Sequence, residues 1–379
     1  MTSLTSNVIV DPDISLPNET WAAIFNHLSP SSLVVLSGVS LHFNTIAERA
    51  LYSSIFIVDV LSKSSPTPQK TLRWCQSMLR RKHLQDLTKR LHIRWQADQL
   101  SPPSPYPAAA VYDALSQVVR LLSALESLEL FLGPTNFAIS LETVHTIEQI
   151  IQGCQFSQLH SCSLGAEWGK GLQFYTSILT SFLCSLPNLR HLILSDHHTA
   201  LNLPSEALPY LTTFRGSPDT AASLLPGRPV QCLSLIGHDF DVNRDNLPRM
   251  TYTSKPLKSL DLSCMSARPL LLRNVSTHLP TIKNLRVNLA LRHTLHHALS
   301  GIRILSGLSA VLCAFNQLSV LDLSPTGKDG VGRADSLDEL ALCTEWCVAC
   351  PSLRRIIFPF QSEWVFDANT PALWSLVQN

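Results

Sequence analysis

Apolar positions between Ile14 and Ile57 recur at helical spacing in three short stretches. Trp21, Ile24, Phe25 and Leu28 fall at i, i+3, i+4 and i+7 and make one stripe. Leu33, Leu36 and Val39 make a second, and Phe43, Ile46, Ala47, Ala50 and Leu51 a third. The punctuation agrees with this reading. Pro17 suits a first helical position, where no amide hydrogen is needed, and Glu19 places a negative charge at the positive end of the helix dipole. Ser29-Pro30 ends the first helix and starts the second, with Ser29 as N-cap. After Leu51 the period changes to two, over Tyr52 to Ile57, which predicts a strand.

Beyond a loop with two prolines and three serines (Leu61–Gln69) and a helix marked by Leu72, Cys75 and Leu79, the pattern repeats. The basic cluster Arg80-Arg81-Lys82 reads as favourable charge at the C-terminus of that helix. Each repeat is an amphipathic stretch, a polar or proline turn, then Leu-x-x-Leu-x-Leu. Clear copies start at Leu125, Leu189, Leu257 and Leu318, and looser ones at Leu159, Val230, Ile282 and Leu353. Leu91-His92-Ile93 looks like an earlier copy and Leu211-x-x-Phe214 a degenerate one. Proline just before several copies (Pro187, Pro280, Pro351) stops the helix and starts an extended segment. Copies lie from about 19 to about 37 residues apart, the range of solenoid repeats. Strands one repeat apart can pair in parallel only through a crossover, usually helical. Val111, Leu115, Val118, Val119 and Leu122 supply one such helix, and Leu337, Leu340, Ala341, Thr344 and Val348 another. Residues 100–107 and 325–335 are proline- and glycine-rich surface loops.

Three helices of about 45 residues cannot bury all their apolar side chains among themselves. The first unit is therefore either a cap on the domain that follows or a docking module whose spare surface belongs to a partner. Its residues resemble a family. Leu16-Pro17-x-Glu19, Ile24-Phe25, Leu28-Ser29-Pro30, Leu33, Val39-Ser40 and Phe43 are similar to an F-box, in register without a gap. The chain departs from that family in the turn into the third helix, which reads Val39 to Phe43 where basic residues are common. The repeats resemble irregular leucine-rich repeats, and the pairing resembles fungal-type F-box/leucine-rich-repeat proteins. The asparagine of the regular repeat is mostly absent. The fold expected is an α/β solenoid: a flexible tail at 1–13, a three-helix F-box at 14–57, and an irregular leucine-rich-repeat horseshoe with parallel strands at 58–379.

Composition narrows the alternatives. The chain has 379 residues with a formal charge of +1, so nothing suggests bulk attraction to nucleic acid or an acidic membrane. With 45% apolar and 15% charged residues it is a chain with much to bury, not a disordered one. The first residues hold no signal-peptide pattern and no stretch has the length of a membrane span, so a cytoplasmic or nuclear location is expected. The ten cysteines are scattered and read as reduced thiols. Cys343, Cys347 and Cys350 are the best metal candidate, yet they lack a fourth ligand and a second pair, so core cysteines are expected. His293 and His297 share a helical face, with His296 beside them, without the acidic residue of a zincin, and His197-His198 read as loop filler. No nucleophile elbow, P-loop or dinucleotide fingerprint is present in the sequence. No cofactor and no metal is expected.

The resemblance implies a non-enzymatic substrate-recognition subunit of an SCF-type cullin-RING E3 ubiquitin ligase. The F-box would bind a Skp-type adaptor, and through it the cullin-RING ligase, while the repeats bind a target protein. The residues implied in adaptor binding are Leu16, Pro17, Ile24, Leu28, Leu33, Val39 and Phe43. A scaffold without a ligase role is the alternative; an enzyme on the solenoid would need a compact His, Asp and Ser cluster in a pocket. Because side chains alternate along a strand, the residue between each pair of inward leucines faces the open side. That gives Glu129, Ser163, Ile193, Arg215, Ser234, Asp261, Arg286, Asp322 and Ile357 as the candidate substrate face.

Overall fold

A computed structural model describes residues 16–98, 100, 109–133, 145–166, 175–290, 305, 307–327, 336–367 and 373–377. Three helices open it: α1 (Asn18–Phe25), α2 (Pro30–Ser37) and α3 (Leu41–Ser53). Pro17 takes the position before the first helix, one residue earlier than its fixed φ suggested. Ser29 caps α2 by accepting the Ser32 amide at 3.2 Å, and Ser40 caps α3 by accepting that of Phe43 at 3.1 Å. The helices share a small core of Phe25, Leu33, Ile46 and Ala47, with Trp21, Leu28, Leu36, Phe43, Ala50 and Leu51 packed around it.

The strand predicted after Leu51 follows α3 without an intervening residue: β1 runs Ser54–Leu61. Among the described residues it is the first of thirteen strands in one sheet whose spatial order is the order of the chain. Ten more follow in parallel: β2 (Arg90–Ala97), β3 (Ser127–Leu132), β4 (Ser161–Ala166), β5 (His191–Leu194), β6 (Thr213–Gly216), β7 (Cys232–Ile236), β8 (Ser259–Ala267), β9 (Asn284–Leu289), β10 (Val320–Asp322) and β11 (Arg355–Ile357). Every Leu-x-Leu segment read from the sequence is one of these strands. In each copy from β3 to β11 the leading apolar residue (Leu125 through Leu353) lies two positions before the strand and is buried. At each step from β2 to β11 one carbonyl just before a strand accepts two successive amides of the next repeat, so Lys89 O takes Glu126 and Ser127, Glu126 O takes His160 and Ser161, and Ser319 O finally takes Arg354 and Arg355. These shared bonds fix the pitch.

Helices cover one face of the sheet, among them α4 (Gln69–Arg80), α5 (Ala109–Leu121), α6 (Thr146–Ile151), α7 (Ser177–Cys184), α8 (Pro218–Leu224), α9 (Leu247–Met250), α10 (Pro269–His278), α11 (Ser309–Leu312) and α12 (Ser336–Ala349). The inward leucines of the strands and the apolar stripes of these helices form a single continuous core, separate from that of α1–α3. Two findings differ from the sequence reading. Helix α12 buries Glu339, Leu342, Cys343 and Trp346, whereas Leu337 and Val348 of the expected stripe are exposed. The sheet also does not end in parallel: β12 (Glu363–Phe366) and β13 (Trp374–Leu376) turn back antiparallel. Trp364 Nε1 and Ser362 Oγ donate to the buried Glu339 carboxylate at 2.8 and 2.7 Å and hold this closing hairpin on α12.

Candidate docking surfaces

The helical unit carries more apolar surface than its core uses, as the docking reading requires. Among the expected adaptor residues, Leu16, Pro17, Ile24 and Val39 are exposed and Leu28 and Phe43 are half-buried. Phe43 packs its ring 4.9 Å from that of Trp21 and 5.4 Å from that of Phe25. Leu33 is a correction: at 4% exposure it belongs to the core and offers a partner no side-chain surface. The sequence reading missed Val34, Val35 and Leu41, exposed by 60, 71 and 90% around the turn from α2 to α3. The signal was present, because three apolar residues stand off the buried stripe with nothing among the described residues to cover them.

The nine residues read as the open face form one transverse row. Glu129, Ser163, Ile193, Arg215, Ser234, Asp261, Arg286, Asp322 and Ile357 are register partners from β3 to β11. The row continues on the N-terminal side through His92 and Phe56, neither of which was singled out from sequence. Most of its members are half-buried rather than exposed, because neighbouring strands crowd them. The row is polar-paired at several positions. His92 Nδ1 meets Glu129 Oε2 at 2.7 Å under the stacked ring of Phe56 (4.3 Å), Ser234 Oγ donates to Asp261 at 3.2 Å, and Arg286 Nε meets Asp322 at 3.2 Å. Arg215 donates to the Cys264 sulfur at 3.0 Å, across a bulge where the β7–β8 and β8–β9 registers shift. One row over, the Arg94 guanidinium lies 4.9 Å from the Phe131 ring centre, and that ring rests against Gly165, where a Cβ would approach it to 3.2 Å.

A buried polar cluster is the main feature the sequence did not show. Asp196, just past β5, accepts the Tyr175 hydroxyl at 2.8 Å and the Ala166 amide at 3.1 Å, and His145 Nε2 lies 3.4 Å away. Glu148 accepts the amides of Thr176 and Leu179, both at 2.8 Å. His197 is 5% exposed and bonds Thr220 Oγ1 at 2.9 Å, so it is a core histidine and not loop filler. Burial pushes the Tyr175 hydroxyl well above its ordinary pKa, with the neighbouring Asp196 charge adding to it, and lowers that of His197. These groups bond one another and the backbone, which ties β4 and β5 to the segments leading into α6, α7 and α8.

Cys343 and Cys350 are buried and Cys347 is partly buried. Cys350 packs in the repeat slot that leucine fills elsewhere, with its sulfur 3.5 Å from the Phe315 carbonyl. Burial raises the thiols of Cys75, Cys154 and Cys162 to about 12. Among the described residues no group of three or more His, Cys, Asp or Glu side chains is placed to hold a metal ion, and no helix is long and apolar enough to cross a membrane. His293, His296 and His297 lie outside the described residues, as does most of both proline- and glycine-rich loops.

No curated protein matches the chain in sequence. Among solved structures, an internalin (InlF) from Listeria monocytogenes str. 4b F2365 is similar with a TM-score of 0.33 and 14% identity, over 78% of this chain and 81% of that one. Residues 14–58 match the F-box-like family model. The first unit is thus F-box-like, and the second, by its own strand register, is an open solenoid of parallel strands that carry the Leu-x-x-Leu-x-Leu repeat.

Proposed function

We propose that the chain is the substrate-recognition subunit of an SCF-type cullin-RING E3 ubiquitin ligase. The observation that carries this reading is the exposed apolar surface of an F-box-like unit: Ile24, Val34, Val35, Val39 and Leu41 have no intramolecular use among the described residues. F-box domains generally bind Skp-type adaptors, and a Skp-type adaptor is the partner this surface takes. The open row on the sheet then holds the target. Ubiquitin transfer needs no catalytic residue from this chain, because tethering two proteins on one frame raises their effective concentration.

The test is co-purification of the full chain with a Skp-type adaptor, followed by transfer assays with a reconstituted cullin-RING ligase. A stoichiometric complex is expected, together with ubiquitin transfer to proteins that co-purify with the solenoid. Val35→Asp combined with Val39→Asp is expected to abolish the complex while leaving circular dichroism and the thermal midpoint unchanged. A folded wild-type chain that fails to bind the adaptor overturns the proposal. Adaptor binding without transfer to any co-purifying protein replaces it with the scaffold reading.

A further inference from the structure

Strand β1 ends the sheet, and among the described residues nothing pairs with its outer edge. In a parallel ladder alternate residues direct both backbone groups to the same side. The carbonyls of Ser53 and Leu61 accept amides from Lys89 and Asp98, on the β2 side. The amides and carbonyls of Ser54, Phe56, Val58 and Val60 therefore face outward. Natural edges of this length are usually blunted. Among the described residues the one guard is Lys70, whose Nζ donates to the Val58 carbonyl at 3.0 Å, and the amides of Phe56, Val58 and Val60 have no partner there.

The surroundings fit an added strand on both of its faces. On the open face Phe56 and Val60 are exposed by 69 and 56%. On the helix side the edge borders a cleft of about 600 Å³ between α1–α3 and the sheet, lined by Phe25, Leu28, Leu51, Ile55, Lys70 and Trp74. Trp74 is nine-tenths buried, and its indole Nε1 has no hydrogen-bond partner. A buried donor left unmade is costly, and an acceptor carried by an added segment would relieve that cost. Lys70 adds a positive charge at the same place, and no carboxylate pairs with it among the described residues.

We infer that the β1 edge is a second docking site, taking an extended segment of a partner protein by strand addition, with apolar side chains at alternate positions and a carboxylate that meets Lys70. It adjoins the transverse row at Phe56 and the expected adaptor residues at Leu28, and it does not depend on the ligase reading.

Two labelled peptides, Thr-Val-Glu-Val-Thr-Val-Thr and the same sequence with Lys for Glu, titrated into the full chain, test it. The glutamate peptide is expected to bind saturably and about threefold tighter than the lysine peptide. It should also slow hydrogen exchange at the amides of Phe56, Val58 and Val60. Val58→Pro removes an outward donor and none of the β1–β2 bonds, so the fold is kept; it should weaken binding about tenfold at an unchanged thermal midpoint. Equal affinity for Val58→Pro and wild type, or no saturable binding, overturns the proposal. Slow exchange of the same amides in the chain alone overturns it too: if independent of protein concentration, the chain fills its own edge, and if dependent, a second copy does.

Discussion

Leu33 and Val35 stand two positions apart on α2, one 4% exposed and the other 71%. Leu33 is one of four fully buried side chains in the core of the helical unit, so Leu33→Ala opens a cavity that little else can fill. We expect it to cost about 2–5 kcal/mol in chemical denaturation, and Val35→Asp to stay within about 0.5 kcal/mol of wild type. His197 gives a pH dependence. Burial lowers its pKa below 6.5, partly offset by the Asp196 charge, so the unfolded chain takes up the proton first. Its contribution to stability is full above about pH 6.5 and is lost as the pH falls toward the folded value. The unfolding midpoint should drop between pH 7 and pH 5, and drop less in His197→Asn. The stripe of Leu33, Leu36 and Val39 marked the side of α2 that Leu33 shares, but nothing in the sequence marked His197 as buried. Leu33 and Val35 are both apolar in a helix of eight residues, and Thr220, the partner that makes His197 a core residue, is 23 residues away.

At the scale of elements, the strands were legible because one backbone geometry repeats: an apolar residue, a turn, then two inward leucines. Even the degenerate copy at Leu211 and Phe214 forms β6, since the shared carbonyl bonds hold its register. The closing hairpin was not legible, because β12 and β13 pair by turning back and carry no Leu-x-Leu. The buried side of α12 was missed for a related reason: Glu339 looks solvent-facing until Ser362 and Trp364 are seen to need it. Glu339→Ala leaves two donors unmade under the hairpin. Denaturant titration should show a loss of about 2–4 kcal/mol, and Glu339→Gln, which keeps an acceptor, a smaller one.

At the scale of the whole molecule, α3 passes into β1 with no residue between them, and Glu48 of α3 meets Arg81 at 3.2 Å and His83 at 3.3 Å, just beyond α4. The two units therefore hold a fixed attitude. This much was legible, since the strand signal follows Leu51 with no glycine or proline between. A flexible insert of about five Gly/Ser residues between Ser53 and Ser54 is expected to preserve adaptor binding and target capture while lowering ubiquitin transfer about tenfold; unchanged transfer would show that the attitude is immaterial. The shared-carbonyl pitch has a consequence of another kind. Positions 215 and 234 are 19 residues apart and positions 286 and 322 are 36 apart, yet each pair sits on adjacent strands, about 4.8 Å from one another. Contour length along the chain and distance along the binding row are thus uncoupled. The connecting segments on the far side can lengthen or shorten without moving a single graduation of the scale, and a bound partner counts strands, not residues.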